Sequence, residues 1–442
     1  MSRWCLAWLA LLLAAGPAWA AQGLSLTEAI REGLGADATL RQAELELARN
    51  VVGVEGARAE QLQYGADLSV GNWTGVTGLL SAGPVQPISV PIANAQVMAR
   101  WPLFTGFRLD RQIDAAEAGV LAARARLDKA HQDVIFAVTE AYWTTRRAEL
   151  KSETQREGVR RAREAWAIAR EVARAGQASA QEVEQAELST LAAEGEALRL
   201  EGDALQARER LATLLRRDLS RVALRDEPAR EVGKDPGGAL EGSLEARPDV
   251  RLARAEVAIR GAGVGVAAAD SWPQLEVASL YQHGNNPFFA TSQNRTVLDR
   301  LVGTWNAQLN LSYHLFDHGV IARNIRGRSL EQAASEQALA ATLAAAEAEV
   351  RATRRRLALT VRRIELGRRG EDLARRNLDW QRGRYRQGRA RLSDLNEART
   401  GLIERRHQRL DAEIDHRIAV AALQRALGTL DVQPGRPEEA RP

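Results

Sequence analysis

Two carboxylates, Asp394 and Glu397, stand three residues apart and so share one helical face shortly after Gly388. Repeated around a symmetry axis, such a pair makes an acidic ring that favours cations. Taken alone, it reads equally as a solvated helix start whose acids suit the positive end of the helix dipole. Tyr385, Arg389 and Arg391 flank the same glycine. They read either as inter-helix hydrogen bonds and ion pairs, each worth ~0.2–1 kcal/mol and so easily opened, or as side chains that merely solvate a turn. The six histidines, His131, His283, His314, His318, His407 and His416, form no His-Glu-x-x-His arrangement or dense ligand cluster. Only His314 and His318 are spaced to hold a metal in transit. No phosphate-binding loop, dinucleotide fingerprint or Gly-x-Ser-x-Gly occurs. The expectation is a protein that is not an enzyme, with no cofactor and no resident metal.

The elements that position these groups begin after a leader. Arg3, the apolar run Trp4 to Ala15, and the small-x-small triplet Ala18-Trp19-Ala20 read as a signal peptide over residues 1–20. The run is shorter than the ~20 apolar residues of a membrane-spanning helix. Cys5, the single cysteine, lies inside this leader, so the mature chain has no disulfide, thiolate or cysteine-based metal chemistry. Lysine occurs only at Lys129, Lys151 and Lys234, and the abundant arginines are interleaved with acids. That mixture predicts solvated helix faces and no nucleic-acid partner.

The remainder is two copies of one unit. Leu103-Phe104 is echoed by Leu315-Phe316, and the same shift of 212 maps Ala43-Glu44 onto Ala255-Glu256 and Gly176 onto Gly388. The first copy is placed at 21–215 and the second at 240–428, with a connector at 216–239 and a C-terminal tail at 429–442. In the second copy, Trp305, Ala307, Leu309, Leu311, Tyr313 and Leu315 alternate with polar residues, as one strand with an apolar and a polar face requires. Shifted by 212, the alternation recurs from Ala93 to Leu103. Weaker strands precede each, Tyr64 to Asn72 and Leu275 to Gln282, giving β-hairpins within 62–104 and 272–316. The weaker strands differ in parity, which implies a one-residue slip between the copies. Trp73, Trp101, Trp272 and Trp305 mark the strand ends, as aromatic girdles at a bilayer interface would. An ordinary soluble sheet edge gives the same alternation.

Four strands per chain cannot close a barrel alone, and open edges are not viable in lipid; three chains would supply 12. From Phe107 to Arg174, and again from Val320 to Gln387, no proline occurs, so helices of ~100 Å are predicted at 1.5 Å per residue. Ala334, Ala338, Ala341, Ala345, Ala348 and Ala352 follow a 4-3-4-3-4 spacing, a coiled-coil seam of small knobs. Both long helices end near a glycine, Gly176 or Gly388, from which a return helix starts, with Ser179 and Arg391 at corresponding positions. The fold class is therefore mainly α, with long coiled-coil helices and a small β part.

This order of elements resembles the TolC-like outer-membrane efflux proteins. Leu24-Ser-Leu-Thr-Glu-Ala-Ile30, Arg247-Pro-Asp-Val250, Pro102-Leu-Phe-Thr-Gly106, Leu315-Phe-Asp-His-Gly319 and Asp394-Leu395 after Gly388 carry the resemblance, which covers residues 24 to 430. It departs at His318, where a glycine is usual. The resemblance implies a homotrimer in the outer membrane, its 12 strands closed into one barrel and continuous with a periplasmic helical tunnel. It implies a passive duct of a tripartite efflux or type I secretion system, with a periplasmic adaptor and an inner-membrane pump docking at the tips marked by Gly176, Ser179 and Gly388. Asp394 and Glu397 would then ring the tunnel mouth, with Tyr385, Arg389 and Arg391 as its latch. A structural coiled-coil envelope protein without transport activity is the alternative.

Overall fold

A computed structural model of the chain describes residues 23–77, 86–175, 179–225, 244–284, 302–387 and 389–430. The leader, Gly176 and Gly388 lie outside these residues, as does most of the connector. Seven helices and four strands are described: α1 (Leu26–Ala36), α2 (Ala38–Ala59), β1 (Gln63–Thr77), β2 (Gln86–Phe104), α3 (Arg108–Arg174), α4 (Ala180–Leu215), α5 (Pro248–Ala268), β3 (Gln274–Gly284), β4 (Val302–Ser312), α6 (Val320–Arg386) and α7 (Leu392–Ala426). They form two compact units, each drawing on both sequence copies: residues 1–43, 127–250 and 343–442 in one, 44–126 and 251–342 in the other.

In the second unit the strands make one antiparallel sheet in the order β1-β2-β3-β4. The slip between copies is explicit in its register. Ala93 pairs with Val70, whereas Trp305, 212 residues after Ala93, pairs with Tyr281, only 211 after Val70. The missing residue falls in the helix-to-strand linker, Glu60-Gln61-Leu62 in the first copy and Trp272-Pro273 in the second. By strand register Pro273 thus corresponds to Leu62, whereas the shift of 212 would place it opposite Gln61. The first hairpin is longer than its alternation suggested, since β2 starts at Gln86 and crosses Pro87 and Pro91. Because β3 pairs with β2 only from Asn94 onward, this stretch has one side unpaired among the described residues, where proline is tolerated. The second hairpin is shorter at its exit: β4 stops at Ser312, and Tyr313 to Leu315 leave the sheet.

The exits explain why. Each copy turns from strand to helix through two consecutive left-handed residues, Gly106 (φ 63) and Phe107 (φ 67) in one, His318 (φ 52) and Gly319 (φ 75) in the other. Glycine takes one of the two positions each time, but not the same one. At Gly106 a Cβ would stand 2.6 Å from the Ala269 carbonyl oxygen, so only glycine fits there. The helix that follows is capped by Thr105 in the first copy, whose Oγ1 accepts from Leu109 N at 3.4 Å, and by Asp317 in the second, which accepts from Gly319 N and Ile321 N at 2.9 and 2.6 Å.

In the first unit, Ser25 and Glu28 form a reciprocal capping box that starts α1. The preceding Leu24 forms a parallel bridge with Leu224, and the fully buried Tyr142 hydroxyl lies 2.9 Å from the Leu24 carbonyl and 2.7 Å from that of Arg225. Around them Ile30, Val138, Trp143, Leu211 and Ile418 make the larger core. Arg247 is nearly buried and grips Asp249 through two nitrogens at 3.0 and 2.7 Å, Glu349 at 2.7 Å and the Ala426 carbonyl at 2.6 Å. One guanidinium thereby ties the start of α5 to the end of α7, and the Arg-Pro-Asp-Val motif is structural. The counterpart of Asp249 is Asp37, which accepts from Thr39 N and Leu40 N at 2.7 and 2.9 Å.

Burial by itself would raise the carboxyl groups of Asp37 and Asp249. Hydrogen bonds from Thr39 and Leu40 at the first, and the Arg247 guanidinium at the second, outweigh it and hold both below the usual carboxylate range. A carboxyl depressed in the folded state stabilises above its unfolded value of about 3.9 and ceases to do so as pH falls through the folded value. Acid titration of the protein should therefore show stability constant above about pH 5 and falling below about pH 4. Asp249→Asn should flatten the acid limb; an unchanged limb would remove Asp249 from the explanation.

Candidate functional site

Two surfaces carry the features that the sequence singled out. The first is the sheet. Tyr64, Ala66, Leu68 and Val70 on β1, Ala95, Val97, Ala99 and Trp101 on β2, Leu275, Val277 and Tyr281 on β3, and Trp305, Ala307, Leu309 and Leu311 on β4 fall on one face by cross-strand register. Most of the large members stand open to the surroundings, from Tyr281 at 46% exposure to Tyr64 at 81%, while Leu275 and Val277 are half-buried. The other face is mostly polar: Asp67 accepts from Gln96, and Arg100 lies 3.3 Å from Glu276. Both edges of the sheet, β1 and β4, are unpaired among the described residues.

The tryptophans divide. Trp73 pairs with Val90, eleven residues along β2 from Trp101, or about 36 Å of strand at 3.3 Å per residue. Trp305 does not sit at a strand end: Tyr281 opposite it pairs with Val97, so Trp305 is level with the middle of that span, and its Nε1 donates to Ser279 Oγ at 3.1 Å. Trp272 lies before β3 and meets Phe107 edge-on at 6.2 Å.

The second surface is the turn between α6 and α7. Arg389 N donates to the Arg384 carbonyl at 2.8 Å, and the Arg384 guanidinium returns to the Arg389 carbonyl at 2.9 Å while stacking 4.7 Å over Trp380. A bond from the sixth residue back to the first closes the helix end. Ala169, Ala186, Leu378, Leu392, Leu395, Ala398 and Leu402 form a small core beneath, and Tyr385 packs against it. Tyr385 is thus a core contact, and the side chains of Arg389 and Arg391 are exposed without an ion pair among the described residues. Among the described residues these three side chains form no ion-paired latch within one chain.

Asp394 and Glu397 do share a groove. It holds about 1250 Å³ and also brings in Asp372, Glu404, Arg369 and Arg405. Asp394 is partly committed, its carboxylate accepting from Arg391 N at 3.1 Å and from Ser393 Oγ at 3.3 Å; Glu397 is exposed. Glu404 was detectable, since it follows Glu397 by seven residues, two helical turns. Asp372 and Arg369 were not, because they reach the groove from α6. Among the described residues no group of three or more potential metal ligands exists.

The two return helices start differently. Ser179 and Glu182 make a full capping box, with both bonds at 3.3 Å. At the corresponding α7 start Arg391 has no acceptor to offer, and only Asp394 reaches back.

The profile described as outer membrane efflux protein matches residues 29–215 and again 239–429. The chain belongs to that family: it is an outer-membrane efflux channel protein with a periplasmic extension, from a family of channels and not of enzymes. Solved structures share the fold at low identity. The outer-membrane channel OprN is 21% identical, with TM-score 0.78 over 92% of this chain and 91% of that one. CmeC of Campylobacter jejuni is 17% identical, with TM-score 0.80 over 93% and 87%. MtrE of Neisseria gonorrhoeae, in an open state, is 22% identical, with TM-score 0.76 over 92% and 91%. Comparison with curated proteins gave no match.

Arg391→Ser would complete the box at α7 and should stabilise the protein by about 0.5–1 kcal/mol, whereas Ser179→Ala should cost about 1 kcal/mol. Denaturant midpoints at constant m-value decide; a destabilised Arg391→Ser variant would show that the arginine makes a contact the cap does not explain.

Proposed function

We propose that three copies of this chain close their sheets into one 12-stranded barrel in the outer membrane, continuous with a helical tunnel. The duct passes exported solutes for a tripartite efflux or type I secretion system. The observation that carries this is the sheet: an exposed apolar face bordered by two open edges. In lipid every backbone group must be paired, so neighbouring copies must supply the partners of β1 and β4. The 36 Å between Trp73 and Trp101, tilted at about 45°, amounts to roughly 25 Å, the height of an apolar band between aromatic girdles. Trp305 then lies within the band, and Trp272 beside its periplasmic rim.

A second face supports association. Ala338, Ala345, Ala352, Leu359, Leu366, Leu373 and Trp380 stand seven apart along α6 and are all exposed, with Leu366 at 67% and Trp380 at 59%. The alanine seam continues into a leucine seam that stays exposed among the described residues, where Ala346 and Val350 are buried instead. On α4, Leu188, Leu191, Leu198 and Leu205 form a comparable exposed line. Unbroken heptads call for a partner helix. An envelope rod would also use such seams, but it has no use for the sheet.

In a trimer Asp394 and Glu397 contribute six carboxylates at the tunnel mouth, a ring that favours cations. Tyr385, Arg389 and Arg391 belong to the same mouth, and any latch they form is made between copies. The tips at Gly176, Ser179 and Gly388 are where a periplasmic adaptor, itself bound to an inner-membrane pump, would dock.

Detergent-extracted protein should run as a heat-modifiable trimer and give a small, cation-selective conductance in a planar bilayer. The pair Asp394→Asn and Glu397→Gln should abolish the cation preference without dissociating the trimer. Leu366→Asp with Leu373→Asp should shift the protein to monomers. A monomeric wild type without conductance would favour the rod.

A further inference from the structure

Behind the acidic groove, α3, α4, α6 and α7 surround a separate cavity of about 290 Å³ whose lining includes Gln155, Arg161, Asn396, Arg399, Arg406 and His407. Arg399 is more than half buried, and its one side-chain hydrogen-bond partner among the described residues is the Asn396 amide oxygen at 3.3 Å. Its Nε is buried without a partner, as is Nε2 of His407, whose ring is held by a backbone hydrogen bond to Lys151. The other arginines in the lining are committed: Arg161 to Glu157, and Arg406 to Glu371 at 3.2 Å and Glu157 at 3.7 Å. Of the carboxylates there, Glu157 is so engaged, Glu196 is held by Arg199, and Glu404 is exposed.

Arg399 therefore has no carboxylate within ion-pair distance among the described residues. Burial acts against its charge, as do Arg382 and Arg161 alongside, and Tyr385 and Glu164 offset them only in part. A guanidinium does not escape by losing its proton near neutral pH. A charge held partly away from water without a counter-charge is unfavourable, and an anion from solution relieves it.

We propose that this cavity is a binding site for one small inorganic anion, a halide or an oxyanion such as phosphate, held by Arg399 with Asn396 and His407 in the wall. The anion lies between the α3–α4 hairpin and α7 and holds them together. The site belongs to a single chain and does not depend on the channel reading.

Crystals of the detergent-extracted full chain soaked in bromide should show an anomalous peak within hydrogen-bond distance of the Arg399 guanidinium. Replacing chloride and phosphate by gluconate at constant ionic strength should lower the thermal midpoint of the wild type by a few degrees, and Arg399→Gln should be insensitive to the exchange. If that variant does not fold, the bromide map still decides. A cavity filled by water with no bromide, or an equal anion response in a folded Arg399→Gln variant, would overturn the proposal.

Discussion

A four-stranded sheet with one exposed apolar face and two unpaired edges is a set of obligations that a single chain cannot meet. Water would satisfy the edges but not the face, and lipid would satisfy the face but not the edges. The proposed assembly, in which the sheet continues into other sheets within a bilayer, would meet both. The exposed heptad line on α6 has the same logic in water: its alanines and leucines gain by burial, yet among the described residues no helix covers them. Much of this fold is thus arranged for contacts that lie outside it.

The duplication shows which features resist change. Both copies keep a pair of left-handed residues where the strand becomes a helix, but Gly-Phe in one becomes His-Gly in the other. The turn needs two such residues, and one glycine suffices to make it affordable. The single residue lost before β3 has a different consequence. It moves every side chain of that strand relative to the helix before it, and the apolar series follows the new register, so that Leu275, Val277 and Tyr281 still meet the apolar face. Face, not position number, is what the strand preserves.

The helical hairpins diverge mainly in charge. Glu371 is nearly buried beneath Arg375, Arg406 and Arg409 on α6 and α7, a network in which one carboxylate serves three guanidinium groups. Arg399 sits close by in sequence and receives no such partner. Arginine-rich helices keep their charge at any physiological pH, so an imbalance of this kind is answered by geometry or by ions rather than by proton loss.

The sequence by itself determined the features that are local or periodic. The repeat, the long helices, the return helices after each glycine and the apolar face of β4 all follow from local composition and from spacings of two, three, four and seven. The parity mismatch of the weaker strands even revealed the slip, because alternation is a property of neighbouring residues. Only the tertiary structure decided which contacts those patterns serve. It located the slip in the linker, placed Trp305 mid-span, turned Tyr385 into a core, made Arg247 a tie between distant segments, and brought Asp372 to Asp394. It also left the alanine seam of α6 uncovered while burying Ala346 and Val350 beside it. A helix offers several apolar lines at once, and which one is buried depends on elements hundreds of residues away, information that no local spacing contains.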